Sequence, residues 1–224
     1  MDIVILDNLP FVLDPKGLSN LLRVIGEKPE DDRLRPLAAQ VQEIARPKAL
    51  YAIAPVALSG YDRVELGPVA FTSRVLRVNL EGAAEAFPFV VTAGRELEAW
   101  AEALNETERG WARAAQGLAL RRALAAVEEG IRRRYPGRLG KMKPGSIPDW
   151  PLAEQGKLFQ LLGDARSAIG VELLDSGFMK PVMTVSGIYF PSSIGFECCL
   201  LCPTENCPGR ATAYDPGLFQ KKYR

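Results

Sequence analysis

The sequence predicts an α+β fold in a chain of 224 residues. Segments with strand character and segments with helical periodicity do not alternate strictly, which favours α+β over a doubly wound parallel sheet. Hydrophobic residues make up 47% of the chain and charged residues 25%, which is typical of a globular protein with a sizeable core. We expect one main domain over residues 1–195 and a cysteine-rich tail over residues 196–224.

The first half of the chain predicts short strands between amphipathic helices. Apolar residues spaced three or four apart predict helices at residues 18–25, 31–45, 73–80 and 96–104, and Ser73 is a candidate helix cap. Runs rich in β-branched or aromatic residues predict strands at residues 3–6, 49–58, 64–71 and 87–92. Pro55 divides the second of these strands, and Gly67-Pro68 breaks the third.

The second half predicts one long helix, from Thr107 to about Arg134. Its apolar stripe of Leu120, Leu124, Val127 and Ile131 is expected to pack on the core. The proline- and glycine-rich residues 136–151 predict an irregular loop. A helix over residues 152–162 and strands over 171–174 and 182–190 follow, and the last thirty or so residues, with few apolar side chains, are expected to lie outside the core.

Charge and composition exclude several classes of function. The net charge is +1, and no apolar run approaches the ~20 residues of a membrane span, so we expect no nucleic-acid or membrane partner. The opening MDIVILDNLP lacks the basic start of a signal peptide, so we expect a cytoplasmic protein. Residues 81–110 are acidic and residues 121–143 are basic, which is expected of solvated helix faces or of a cationic site for an anionic cofactor or acidic partner.

The chain contains no histidine. This excludes Ser-His-Asp and Cys-His catalysis and any zinc site that needs imidazole. Acid–base chemistry would fall to carboxylates, lysine, tyrosine or cysteine.

All the cysteines lie within ten residues in the pattern C-C-x2-C-x4-C, at Cys198, Cys199, Cys202 and Cys207. Thiolates three apart in a turn can converge on one soft metal ion or cluster. The side chains of adjacent residues diverge, so we expect the last three cysteines to be the main ligands and Cys198 to be optional. The pairs Cys202-Pro203 and Cys207-Pro208 are expected to keep the loop extended. An iron–sulfur cluster, zinc, a redox dithiol and structural thiols all remain open, although a cytoplasmic setting argues against stable disulfides.

The segment at residues 172–191, ELLDSGFMKPVMTVSGIYFP, resembles the activation (S-adenosylmethionine-binding) domain of vitamin B12-dependent methionine synthase, where this region reads LTESFAMWPxxSVSGWYF. The residues that fit are Leu173, Ser176, Phe178, Met179, Pro181, Val185, Ser186, Gly187, Tyr189 and Phe190. The ending CxLCPxENCPGR looks like that of stand-alone members from anaerobic bacteria. The resemblance covers about residues 65–215.

The resemblance implies a C-shaped α+β domain with a bent antiparallel sheet and flanking helices. It implies a reactivation component, part of a methyltransferase system rather than a complete enzyme. Such a component restores methylcob(III)alamin from cob(II)alamin by reductive methylation with S-adenosylmethionine, using an electron from a flavodoxin or ferredoxin. The cobalamin would be carried by the partner, a methionine synthase or another corrinoid protein. Electron delivery from a cluster bound by the cysteines is a second route.

The resemblance also implies which residues bind S-adenosylmethionine. The family motif R-x-x-P-G-Y aligns with residues 141–146, KMKPGS, so Lys141 and Ser146 stand where the family has arginine and tyrosine. Lysine can pair with a carboxylate but lacks the bidentate fork of arginine. The family also uses an acidic residue on the preceding long helix, a role that Glu128 or its neighbour Glu129 could fill. The expected binding residues are Glu128, Lys141, Lys143, Gly145, Ser146, Gly187 and Tyr189. The alternative function is a non-catalytic docking subunit of a corrinoid or folate methyltransferase, with a structural zinc in its tail.

Overall fold

The computed structural model describes residues 1–207 and 209–224. The first part of the chain contains β1 (Asp2–Leu6), α1 (Pro15–Val24), α2 (Asp31–Ile44), β2 (Lys48–Ser59), β3 (Arg63–Leu66), β4 (Val69–Thr72), α3 (Arg74–Asn79), β5 (Glu85–Thr92) and α4 (Arg95–Glu102). The second part contains α5 (Glu106–Arg134), β6 (Leu139–Met142), α6 (Gln155–Leu162), α7 (Ala165–Ile169), β7 (Glu172–Leu173), β8 (Met179–Lys180), β9 (Thr184–Pro191) and α8 (Leu218–Lys222). Two 3-10 turns span Leu152–Glu154 and Cys198–Leu201.

In the described part of the chain, the main sheet has seven strands. Six of them follow the order β4-β3-β2-β5-β9-β6, and β1 pairs with the first part of β2. Each pairing in this sheet is antiparallel, and β7 and β8 form a separate two-stranded antiparallel sheet. The predicted α+β class is therefore confirmed as an antiparallel sheet flanked by helices.

Helix α5 packs across the sheet and covers one side of the core. It begins at Asn105, whose side chain accepts a hydrogen bond from the backbone N–H of Glu108. The predicted stripe is confirmed: Val127 and Ile131 are buried against β2, β5 and β9, and Leu120 and Leu124 pack half-buried against the same cluster. The stripe omits a row of buried alanines on the same helix: Ala112, Ala115, Ala119, Ala123 and Ala126. Small side chains on this row let the long helix lie close to its neighbours, which a search for large apolar residues does not detect.

Two predicted features of the first half are confirmed. Ser73 caps α3, because its hydroxyl accepts a hydrogen bond from the backbone N–H of Leu76 at 2.9 Å. The break at Gly67-Pro68 is the turn of the β3–β4 hairpin. Pro55, by contrast, does not divide β2: the strand continues through it, and its carbonyl accepts a hydrogen bond from the N–H of Gly67.

The predicted loop over residues 136–151 is wrong in part, because it contains β6. This strand pairs with β9 through residues 139–142 and places Lys141 opposite Tyr189. Gly140 reads as a loop residue in the sequence, but a Cβ there would lie 2.4 Å from the ring of Phe190. The glycine is present because two strands pack closely at this point.

The tail does not lie outside the core, so that expectation is also wrong. Phe196, Cys198, Leu201 and Tyr223 are buried in the same cluster as residues of β3, β4 and β9. These apolar side chains are isolated in the sequence, but the fold directs these four inward, while Tyr214 and Phe219 stay exposed. The division at residue 195 stays a prediction.

No helix in residues 1–207 and 209–224 combines the length and the apolar character needed to cross a membrane.

Candidate functional site

Three of the predicted binding residues meet at one end of the sheet, each from a different element. Glu128 lies on α5, Lys141 on β6 and Tyr189 on β9. The Tyr189 hydroxyl donates a hydrogen bond to Oε1 of Glu128 at 2.8 Å. The Nζ of Lys141 lies 5.4 Å from the centroid of the Tyr189 ring, within the range of a cation–π interaction.

A fourth residue, Glu197, completes this group. Its Oε1 lies 3.2 Å from the Nζ of Lys141, and the two side chains are only 22% and 15% exposed. The backbone N–H of Lys141 also donates to the carbonyl of Phe196 at 2.7 Å, so the start of the tail runs along the outer edge of β6. We call Glu128, Lys141, Tyr189 and Glu197 the Lys141 cluster.

Glu197 is not among the predicted site residues, because it lies next to the cysteines in a segment expected to be outside the core. A weak signal was present. Phe196, Glu197 and Cys198 alternate apolar, polar and apolar, the pattern of an extended segment with one buried face. Phe196 and Cys198 are indeed buried, and Glu197 faces the other way.

The electrostatics of the Lys141 cluster keep the Tyr189 hydroxyl protonated. Tyr189 is 2% exposed, and burial raises its pKa far above the ordinary value. The charges of Glu128 and Glu197 raise this pKa further, and Arg132 lowers it slightly. Tyr189 is therefore a hydrogen-bond donor to Glu128 at neutral pH and is not suited to acid–base chemistry there.

The predicted turn residues Lys143, Gly145 and Ser146 are placed against the tail. Gly145 has a φ of +75°, a conformation that favours glycine, and its N–H donates to the carbonyl of Trp150 at 2.8 Å. Ser146 and Lys143 lie close enough to Cys198 to lower the pKa of its thiol, although burial raises this pKa more. The structure thus connects the predicted binding loop to the first cysteine.

Gly187 has a steric role in placing Lys141. It sits on β9 opposite Phe89 of β5. A Cβ at this position would lie 2.4 Å from the carbonyl oxygen of Met142 and 3.1 Å from the Phe89 ring. Glycine therefore lets β6 approach β9, and this approach sets the position of Lys141 over Tyr189.

The four cysteines are free thiols in different surroundings. Cys198 is buried, which raises its pKa, whereas Cys199 and Cys202 are half-buried and Cys207 is exposed. The pKa of Cys202 is lowered, first because the hydroxyl and backbone N–H of Thr204 can donate hydrogen bonds to its thiolate, and further by the charges of Arg210 and Lys143. The predicted Cys207-Pro208 feature involves Pro208, which lies outside the described residues.

Among the described residues, no three histidine, cysteine, aspartate or glutamate side chains are grouped so that they could hold a metal ion. Zinc and iron–sulfur sites need three or four convergent ligands. The cysteines in this arrangement therefore do not fit either group.

A groove of about 530 Å³ lies beside the 143–146 turn. It is lined by Ile147, Pro148, Asp149, Leu201, Pro203, Tyr214 and Phe219. This volume is within the range of small-molecule sites. A second cavity, of about 320 Å³, lies between α4, α5 and residues 182–183, and none of the predicted site residues lines it.

Comparison with solved structures shows what the fold resembles. A crystal structure of the MetH reactivation domain bound to AdoHcy matches this chain with a TM-score of 0.64 and 16% sequence identity, over 86% of this chain and 79% of that chain. The sequence matches no protein-family model. It also matches no curated protein. At this identity, the likeness shows a shared fold.

Proposed function

We propose that this protein is a reactivation component for a cobalamin-dependent methyltransferase, with a methionine synthase as the expected partner. The fold supports this proposal, since it is shared with a reactivation domain. The observation that carries it is the Lys141 cluster. Residues far apart in the sequence, which the family resemblance assigned to S-adenosylmethionine binding, meet here around one buried tyrosine.

The Lys141 cluster has the chemistry to bind an amino-acid ligand with a positively charged centre. The ammonium of Lys141 can pair with the ligand's carboxylate. The carboxylate of Glu128 can attract its positive groups. When bound, S-adenosylmethionine supplies the methyl group that the partner's corrinoid receives, and a flavodoxin- or ferredoxin-type protein supplies the electron.

In this proposal the chain's own residues position a ligand and perform no proton transfer. Tyr189 stays protonated and fixes Glu128, while Gly187 lets β6 hold Lys141 above the ring. Holding two reactants in the correct geometry can supply a large part of a rate enhancement. This role is consistent with a chain that contains no histidine.

The cysteines favour the S-adenosylmethionine route over electron delivery by a bound cluster. Because the described thiols do not form a site for an iron–sulfur cluster, we derive no step through one. The same finding weakens the alternative of a docking subunit with a structural zinc. Burial of Phe196, Leu201 and Tyr223 gives a different reason for the ordered tail.

The experiment uses a corrinoid methionine synthase that lacks its own reactivation domain, inactivated as cob(II)alamin. The full chain is added with S-adenosylmethionine and a chemical reductant, and formation of methylcobalamin is followed by its visible absorption. We expect methylation to depend on the chain and to be lost in Lys141→Ala, with exposed Lys28→Ala as the matched control. Equal rates with and without the chain would contradict the proposal.

A further inference from the structure

Two of the cysteines, Cys199 and Cys202, lie at the two ends of one tight turn. The 3-10 turn spans Cys198–Leu201, and the backbone N–H of Cys202 donates to the carbonyl of Cys199 at 3.3 Å. A hydrogen-bonded turn of this kind holds the Cα atoms of residues i and i+3 within about 7 Å. Disulfides bridge Cα atoms about 4.4–6.8 Å apart. The backbone therefore holds this C-x2-C pair in a range where a disulfide can form.

Arg210 holds both ends of this turn. Its guanidinium donates to the carbonyl of Cys199 at 3.4 Å and to that of Cys202 at 3.1 Å. It also donates to the carbonyls of Thr204 and Thr212, so one side chain fastens four points of the tail. A guanidinium presents its donors in a rigid plane. The turn thus has a support that does not depend on a metal ion.

The other two cysteines are placed in different surroundings. Cys198 is 2% exposed and belongs to the buried core. Cys207 is exposed, and its carbonyl accepts a hydrogen bond from the backbone N–H of Arg210 at 3.1 Å. Cys199 and Cys202 are both half-buried, so reagents can reach them. In the described residues no third ligand joins the pair to make a metal site.

We infer that Cys199 and Cys202 form a redox-active dithiol that exchanges with the disulfide of a partner protein or small molecule. One thiol attacks the external disulfide, forms a mixed disulfide and releases one thiol of the oxidant. The second thiol then attacks the mixed disulfide, closes the Cys199–Cys202 bond and releases the other thiol. The dithiol loses two electrons and two protons, and the external disulfide gains both. This inference does not depend on the proposed function.

The test uses the full chain, equilibrated without oxygen in defined mixtures of reduced and oxidised glutathione. The thiols are then trapped with acid and an alkylating reagent, and the peptides are mapped by mass spectrometry. We expect Cys199 and Cys202 to become protected together and to be recovered as one intramolecular disulfide. Cys207→Ser should leave this disulfide unchanged, whereas Cys202→Ser should abolish it.

Three outcomes would overturn the inference. Cys199 and Cys202 could be alkylated independently in every mixture. The disulfide could join Cys198 or Cys207 instead. The chain, when isolated without oxygen, could contain iron or zinc that is absent from Cys202→Ser, which would make the cysteines metal ligands. Arg210→Gln adds a further check. If Arg210 positions Cys199 and Cys202, this variant should form a smaller fraction of disulfide at a fixed glutathione ratio and remain folded by circular dichroism.

Discussion

Glu197 pairs with the Lys141 ammonium, the group with which a ligand carboxylate would pair. Replacing Glu197 with glutamine should therefore strengthen ligand binding and lower the stability of the fold. At the 3.2 Å between Nζ of Lys141 and Oε1 of Glu197, with an effective dielectric constant of about 20, the gross attraction is about 5 kcal/mol. The desolvation of both groups offsets much of this. Exposed pairs contribute about 0–1 kcal/mol, and loss of one partner from a fully buried pair costs about 3–5 kcal/mol.

With side chains 15% and 22% exposed, the Lys141–Glu197 pair falls between these limits, and we take a net value of about 2 kcal/mol. We therefore expect Glu197→Gln to lower the free energy of unfolding by about 2 kcal/mol. In this variant a ligand carboxylate would no longer compete with Glu197 for Lys141. The same energy, about 2 kcal/mol, corresponds to ligand binding up to about 30-fold tighter.

Urea unfolding followed by circular dichroism measures the loss of stability, and calorimetric titration with S-adenosylhomocysteine measures the affinity. Glu205→Gln is the matched control, because it makes the same change at an exposed position of the same tail. We expect this control to leave both quantities unchanged. Weaker binding by Glu197→Gln would show that Glu197 is a ligand contact and not a competitor, and would refute the reasoning. An unchanged free energy of unfolding would refute the magnitude.

Three further predictions concern the surroundings of the site. Burial raises the pKa of Tyr189, so this tyrosine ionises first in the unfolded chain, and stability should fall as pH rises above about 10. Tyr189→Phe should reduce this fall, as measured by urea unfolding between about pH 9 and pH 11. An identical dependence of stability on pH in the variant would contradict the prediction. Gly187→Ala should cost about 1–3 kcal/mol, because its Cβ would meet the carbonyl of Met142; an unchanged urea midpoint would show that the strands can separate without cost. Asp149 accepts hydrogen bonds from the Ser73 hydroxyl and from the N–H of Val75 at 2.9 Å. Asp149→Ala should therefore lower the free energy of unfolding by about 1–3 kcal/mol, as measured by scanning calorimetry. An unchanged melting temperature would contradict this prediction.

The sequence predicted the elements whose signal is local. Helix α5 and the Ser73 cap follow from periodicity and from side-chain to backbone hydrogen bonding, which act within a few residues. The α+β class followed from the order of such elements. Strand β6 was missed because Gly140 and the nearby prolines resemble a loop, whereas the reason for Gly140 is contact with Phe190, fifty residues away along the chain.

The candidate site shows the same limit. The resemblance implied Lys141, Tyr189 and either Glu128 or Glu129, and the fold brings Glu128 together with the first two. It gave no indication of Glu197, because an ion pair between residues 56 positions apart leaves no pattern in a single sequence. The cysteine spacing favoured a metal site, but spacing alone does not fix where thiols point. Cys198 is buried, whereas the Arg210 hydrogen bonds hold the turn that carries Cys199 and Cys202.

The most direct test of the central claim is a calorimetric titration of the purified full chain with S-adenosylmethionine. We predict saturable binding of one molecule per chain, lost in Lys141→Ala and retained in Lys28→Ala. Absence of binding by the parent chain, or equal binding by the parent chain and Lys141→Ala, would contradict the assignment of the Lys141 cluster as the ligand site.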